Sequence, residues 1–523
     1  MTTYDAIIVG GGHHGLTAAT YLAREGKRVI VLESRPWLGG MTYSQETVPE
    51  APGYVMNPCA VDLLFTNLEP SIVTELDLAS HGLRQVAPDP WGSFLGTNGE
   101  AIGMWRSLDR TCAEISRYSR RDAETFRVMC GQWIDFWRIA APYLMDHPTR
   151  PRAKTLGEMA WRAGKARKNL APISRMLTAS PYDTIMSSFE SEAVRTMLAT
   201  YASGSLAPLR EAGSGAVLGV AMIHIGWGIQ RPIGGMSAFV DSLVSALRSH
   251  GGETRTDAAV EEVLVSGGRT TGVRLVGGDV IHGRHVIGAL DPVTLMNKLV
   301  DPGHVSDDLR REVDSIRISG WGINTVKLDV ALSERPKLLS DRPDLWGSYM
   351  LVADDMAAID RAQLGALNGV LPPETPMWAM MPSAADRTQV PPGSGGDTMY
   401  LFCTAVPHEF ADGSDWSEHR PAITEQSLKA MDRVAPGFAD TVIGSWAKSP
   451  AELGQQTHRG SFTTVDLSLS QLGPNRPSPS LSGYKTPIEN LWHTGAGAHP
   501  MSGVHGWAGR TTARTVLKTM KKA

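Results

Sequence analysis

Cysteine is scarce in this chain of 523 residues: Cys59, Cys112, Cys130 and Cys403 stand far apart, and none forms a C-x-x-C pair. That spacing argues against a thiolate zinc site and a dithiol redox centre. A disulfide-stapled secreted protein of this length would carry more cysteine, so a reducing cytoplasm is the expected setting. Charge of one sign is lacking too. Fifty Lys and Arg against 54 Asp and Glu leave a formal charge of −4, which argues against a dedicated nucleic-acid binder. No basic segment followed by an apolar stretch and a cleavage site opens the chain. Long uncharged runs are rare. One from Ala212 to Gln230 is broken by Gly213, Gly215, Gly219, Gly226 and Gly228 and carries His224. It is expected to be a buried segment leading into a strand, with a membrane helix as the alternative. Neither metal-ligand spacing nor a nucleophile elbow is found.

What is present is core-forming material. The hydrophobic fraction is 42% and the charged fraction 20%, which places the chain among globular proteins. Its length suggests about two to four domains. Asp5-Ala-Ile-Ile-Val-Gly10 is a short β-branched run suited to a buried parallel strand. Gly10-Gly-Gly12-His13-His14-Gly15 follows at once, then Leu16, Ala19, Leu22 and Ala23 at helical spacing, then a second strand over Arg28 to Leu32 closed by Glu33. Strand, G-x-G-x-x-G turn, helix, strand and acid make the full dinucleotide fingerprint. Gly10 permits the tight turn, Gly12 the approach of a pyrophosphate, and Gly15 the close packing of helix on strand. Helix-start N–H groups bind phosphate, and Glu33 can accept both ribose hydroxyls. Glu33 disfavours NADP, whose 2′-phosphate it would repel, but does not choose between NAD and FAD.

The extension Glu33-Ser-Arg35-Pro-Trp-Leu-Gly39-Gly40-Met41 brings a basic residue and a second glycine pair close to the same site. Here the chain resembles the two-glycine-motif flavoproteins, the group of amine oxidases, protoporphyrinogen oxidase and phytoene desaturases. Further motifs extend the resemblance. Arg231-Pro-Ile-Gly-Gly235 opens a helix with Phe239, Leu243 and Leu247 as its stripe. The closing block Thr494-Gly495-Ala-Gly497-Ala-His499-Pro-Met-Ser-Gly503-Val504-His505-Gly-Trp507-Ala-Gly509-Arg510 resembles the end of the phytoene desaturase branch. Gln456 to Ser461, Asn475-Arg-Pro477 and Leu481 to Pro487 resemble the phytoene dehydrogenase-related branch, which includes retinol saturase-like proteins. The resemblance implies FAD, held by Gly10, Gly12, Gly15, Glu33, Arg35, Gly39, Gly40, Met41, Val260, Gly495, Gly497, Gly503 and Val504. In the family the strand at Val260 lies against the adenine, and a closing helix, expected here from about Val504, points its N-terminus at the flavin. With no cysteine after Cys403, cysteine-linked flavin at the closing motif is excluded.

The fold class is therefore α/β. A Rossmann-type FAD-binding domain, discontinuous in sequence, accompanies a mixed-sheet and helical substrate domain. Residues 1–67, 214–300 and 481–523 form the FAD part, with the opening turn, middle glycine pair and closing block converging on one cofactor. Strands are expected over Val260 to Val265, Thr271 to Leu275, Val280 to His282 and His285 to Ala289. Residues 68–213 should be a helical insertion and 301–480 a sheet with helices, including strands from Trp321 and from Thr398. Within the first insertion, Thr155-Leu-Gly-Glu158 fits a capping box, and Leu156, Ala160, Ala163, Ala166 and Leu170 fit a helical stripe. Eight basic residues between Arg150 and Arg175 face one acid, Glu158. With Trp161 they suggest a peripheral membrane contact through 150–175, or else an ordinary solvated face.

The expected activity is flavin-dependent oxidation of a CH–CH group in an apolar, isoprenoid or polyene-like substrate, by hydride transfer to flavin N5. His499, His505 and Trp507 are the catalytic candidates, with backbone hydrogen bonding as the alternative for both histidines. His224 and His458 are weaker candidates. Oxygen or a quinone would take the electrons. Alternatives are an amine oxidase, a flavin-dependent isomerase or saturase, and a flavin-binding partner without chemistry.

Overall fold

A computed structural model describes residues 3–318, 322–461 and 464–521, without the side chain of His458. Trp321 and the His458 side chain thus lie outside the described residues. The opening strand Tyr4–Val9 is apolar toward its C-terminal end and runs parallel between Val29–Leu32 and Val280–Gly288. Ala6 pairs with both Val29 and His285. Glu253–Arg255 extends the sheet beyond Val29–Leu32, and Leu491–His493 joins Val280–Gly288 in parallel. Carboxyl ends of five parallel strands therefore lie side by side, the position where open α/β sheets take ligands.

Val280–Gly288 is one strand where two were expected. Its first residues pair antiparallel with Arg269–Leu275 (Ile281 to Val273), and its later ones pair parallel with the opening strand (Val286 to Ile7). One chain segment serves two sheet directions, so its polar start and apolar end read as separate pieces. Helix His13–Arg24 covers the parallel sheet and packs against Met236–Ser249 and the closing helix Trp507–Met520. The closing contact is tight: a Cβ on Gly509 would lie 2.1 Å from the His14 carbonyl oxygen. The closing helix begins three residues beyond the expected Val504, because Gly506 sits at φ 76° as its N-cap.

A second seven-stranded sheet runs in the order 442–448, 323–332, 397–407, 377–380, 349–352, 92–95 and 101–104. Its last two strands come from the insertion expected to be helical, so both insertions build it. Alternation decides its two faces. Val326, Leu328, Val330, Met399, Leu401 and Cys403 pack with Ile423 and Met431 of helix Trp416–Val434. Tyr400 and Phe402, between them in sequence, turn to the other face with Met197, Tyr201, Leu218 and Met222 of the helical layer. The uncharged run folds as the short helix Ala216–Trp227 in that layer. Among the described residues, no helix is long and apolar enough to cross a membrane.

Candidate functional site

One cavity of about 580 Å³ runs from the carboxyl edge of the parallel sheet to the cavity-facing side of the second sheet. Its size is within the usual range for small-molecule sites, about 300–1,000 Å³. Gly10, Gly12, Glu33, Arg35, Gly39, Gly40, Met41, Val260, Gly495, Gly503 and Val504 line it. Two expected glycines stand behind the wall for packing reasons. A Cβ on Gly15 would lie 2.3 Å from the Gly10 oxygen and 2.8 Å from Ala289 Cβ. One on Gly497 would meet Pro292 Cδ at 3.0 Å. The middle glycine pair is not on the wall either. Gly234 donates its N–H to Asp386 (2.7 Å), and Gly235 leaves no room for a Cβ beside Ser44 Oγ.

The nucleotide arm is built by backbone. Glu33, 6% exposed, accepts the Gly11 N–H at 2.8 Å on one oxygen and the Arg35 N–H at 3.1 Å on the other. Gly39 N–H donates to Gly11 O at 2.8 Å, and a Cβ on Gly40 would approach Gly12 Cα at 3.2 Å. No side chain caps helix His13–Arg24, so its first N–H groups remain available at the wall. A bare helix start, a glycine cradle and a carboxylate at the next strand end are the donor set an adenine dinucleotide requires, so the residues present fit FAD.

His13 joins the three segments around this arm. Its Nε2–H donates to Gly503 O (3.2 Å), and its Nδ1 accepts from Thr42 Oγ1 (3.1 Å). Burial pushes its pKa down to about 4, which keeps the ring neutral for this pairing. The closing loop is held by another residue that sequence reading passed over as a motif letter. Fully buried Arg476 donates to the carbonyls of Ala496 (2.7 Å), Ala498 (3.0 Å), Asp466 (2.7 Å) and Val465 (3.1 Å).

None of the three catalytic candidates lines the cavity, which corrects the sequence expectation. His499 Nε2–H donates to Tyr143 O (3.2 Å) and packs edge-on against the Tyr143 ring. His505 Nε2–H donates to Met501 O (3.1 Å), and its Nδ1 accepts the Trp507 N–H (3.1 Å) at the start of the closing helix. Trp507 stacks on His505 at 4.3 Å and donates its indole N–H to Glu69 O. These groups satisfy the backbone of a sharp buried turn. Burial lowers the pKa of His499 to about 4 and that of His505 well below the ordinary value.

The other arm of the cavity is aromatic. Tyr201 stacks on Trp378 at 5.1 Å, Tyr349 meets Trp378 edge-on at 5.7 Å, and Tyr400 and Phe402 stand beside them. Gly204 makes room: a Cβ there would lie 2.2 Å from the Trp378 ring. Polar tips on this wall are mostly engaged. Trp378 donates to Thr200 O (2.8 Å), Tyr400 to Cys59 O (2.8 Å), and the Tyr201 hydroxyl pairs with His224 Nε2 at 3.3 Å. Burial lowers the pKa of His224 to about 3, so it is neutral. Asp62 is closed off by a bidentate pair with Arg231, at 2.8 and 3.0 Å. Among the described residues, no cluster of His, Cys, Asp and Glu could hold a metal ion.

Comparison with known proteins agrees with this geometry. Residues 8–72 match the NAD(P)-binding Rossmann-like domain family, and residues 162–376 match the family of flavin containing amine oxidoreductases. The rat pyridine nucleotide-disulfide oxidoreductase domain-containing protein 2 is 28% identical, over 99% of this chain and 94% of its own length. A lycopene-forming phytoene desaturase of Pseudescherichia vulneris is 22% identical over 96% of each. Wild-type putrescine oxidase bound to putrescine shares the fold, with a TM-score of 0.64 at 16% identity over 99% of each chain. With both ends of the cavity and the whole length of the chain accounted for, this protein is similar to the phytoene desaturases and flavin containing amine oxidoreductases, and its cofactor is FAD.

Proposed function

We propose that the protein is an FAD-dependent dehydrogenase acting on a CH–CH group of an apolar, isoprenoid or polyene-like substrate. The observation that carries this reading is the aromatic arm. It joins the nucleotide arm in one cavity, and it offers a substrate aromatic faces without an unpaired carboxylate. The acids on the cavity wall are Glu33 at the nucleotide arm, Asp62 locked to Arg231, and Asp291 bonded to the Thr294 N–H. An apolar chain gains from burial there and loses no hydrogen bond.

In this reading Glu33 holds the ribose, Gly10 and Gly12 the pyrophosphate with Arg35 beside it, and Val260 the adenine. Met41, Gly495, Gly503 and Val504 border the flavin ring. When bound, FAD would supply the acceptor for a hydride at its N5, and the proton from the adjacent carbon would pass to water. Trp378, Tyr201 and Phe402 hold the chain so that one C–H faces that position, and positioning carries most of the rate. Neutral His224 and Tyr201 give the wall a polar point that fixes register without storing charge. Oxygen or a quinone would take up the electrons.

One observation favours an amine as the second reading, because an aromatic wall attracts a cation. Against it, the amine of Lys327 already sits 4.1 Å from the Tyr400 ring centroid and bonds Asp329. The test is anaerobic incubation of the holoprotein with a long polyene and, separately, with alkyl amines. Bleaching of the flavin absorbance by the polyene alone supports the proposal. Bleaching by amines alone, with peroxide released on admitting air, would overturn it.

A further inference from the structure

Helix Ala153–Lys165 is mounted the wrong way round for a surface helix. At 3.6 residues per turn, Thr155, Glu158 and Arg162 fall on one face, and Ala153, Leu156, Gly157, Ala160, Trp161 and Gly164 on the opposite one. The polar face points inward. Thr155 is the helix's buried residue and donates to Asp146, while Arg162 bonds Glu158 and the Arg138 carbonyl of helix Arg120–Leu144. The apolar face points to solvent, with Leu156 51% and Trp161 59% exposed. The expected capping box is absent because Thr155 lies within the first turn and its hydroxyl is committed to Asp146.

A basic rim surrounds this face. Lys165 lies 3.7 Å over the Trp161 ring. Arg150, Lys154, Lys165, Arg167, Lys168 and Arg175 are exposed and form no salt bridge among the described residues. Leu170, in the following helix Leu170–Thr178, adds another exposed apolar side chain.

We infer that this face docks on an anionic phospholipid surface, with the helix lying in the interface plane. Leu156 and Trp161 enter the headgroup–acyl boundary while the lysines and arginines meet lipid phosphates. Charge complementarity selects this occupant. A second copy of the chain would bring one basic rim against another, and a neutral apolar partner would leave the rim unanswered. The position also suits traffic to the cavity. The helix rests on Arg120–Leu144, whose Trp133 and Trp137 pack on Gly219 of helix Ala216–Trp227. Val217 and Val220 of that helix line the cavity. The docking inference stands apart from the proposed activity, since vesicle binding needs no turnover.

The experiment is flotation of the holoprotein with phosphatidylcholine vesicles and with vesicles also containing phosphatidylglycerol. Expected is binding to the anionic vesicles only, weakened by salt. W161S should lower it roughly tenfold, and K165E with K168E by more than about tenfold, at about 1 kcal/mol per basic residue near the surface. Flavin content and Tm should be unchanged, because these side chains are exposed. Three results would overturn the inference: no binding to anionic vesicles, equal binding by wild type and variants, or a dimer that W161S dissolves in place of vesicle binding.

Discussion

The two arms of the cavity are built by opposite means. The nucleotide arm is made of backbone, with glycine turns, a bare helix start and one carboxylate, drawn from segments that share a parallel sheet edge. The aromatic arm is made of side chains. Tyr201 comes from a helix, and Tyr349, Trp378, Tyr400 and Phe402 from three strands of the second sheet. A dinucleotide has the same phosphates and riboses wherever it binds, so its cradle demands fixed backbone geometry. A hydrocarbon demands volume and apolar faces, which many residue sets can supply. This contrast predicts that the two arms fail separately.

The largest effect is expected at the nucleotide arm. Gly15→Val would drive side-chain atoms into Gly10 O and Ala289 Cβ, and should leave a protein without flavin after gel filtration. Glu33→Ala is the milder companion and should weaken FAD binding roughly 10–100-fold, the cost of about 1–3 kcal/mol. At the aromatic arm, Trp378→Ala should keep the flavin absorbance intact while lowering kcat/KM for a polyene by about 10²-fold, from lost positioning. If Trp378→Ala also loses FAD, the arms are not independent.

Acid should strike the nucleotide arm and closing loop together. His13 and His499 have folded-state pKa values of about 4, below the ordinary 6.5, because burial disfavours the charged ring. The unfolded chain therefore takes up protons first. The stability these residues retain is full above pH 6.5 and falls as pH drops toward 4, by about 1.4 kcal/mol for each pH unit and each histidine. Tm measured across that window should fall, accompanied by flavin release. The smallest effect is expected at a residue the motif made conspicuous. His499→Gln can keep a donor toward Tyr143 O, and should cost far less than the ~10²-fold that removing a general acid–base group costs.

Legibility followed the same division. The strand–turn–helix–strand unit over residues 4–33 could be read because Gly10, Gly12, Gly15 and Glu33 are each required by local geometry. The closing loop was legible as backbone at Gly495, Gly503 and Val504. It was misread at His499, His505 and Trp507, because the residue types that do chemistry are also those that satisfy buried turns. The aromatic arm carried no local signal. Tyr400 and Phe402 alternate with core residues in a strand buried throughout, and only the pairing with helix Trp416–Val434 decides which face looks into the cavity. Of the expected stripe Leu156, Ala160, Ala163, Ala166 and Leu170, Leu156 and Ala160 share the exposed face of helix Ala153–Lys165, but the helix stops before buried Ala166 and Leu170 opens the next one; the outward direction depends on Asp146 and Arg138, which no helical period reports.

The most direct measurement is a crystal structure of the holoprotein. The adenosine is expected beside Glu33 and Val260, and the flavin ring between Met41 and the Gly503–Val504 turn, with one face open to Tyr201, Trp378 and Phe402. A flavin ring lying elsewhere, or one walled off from those aromatic side chains, would contradict that placement.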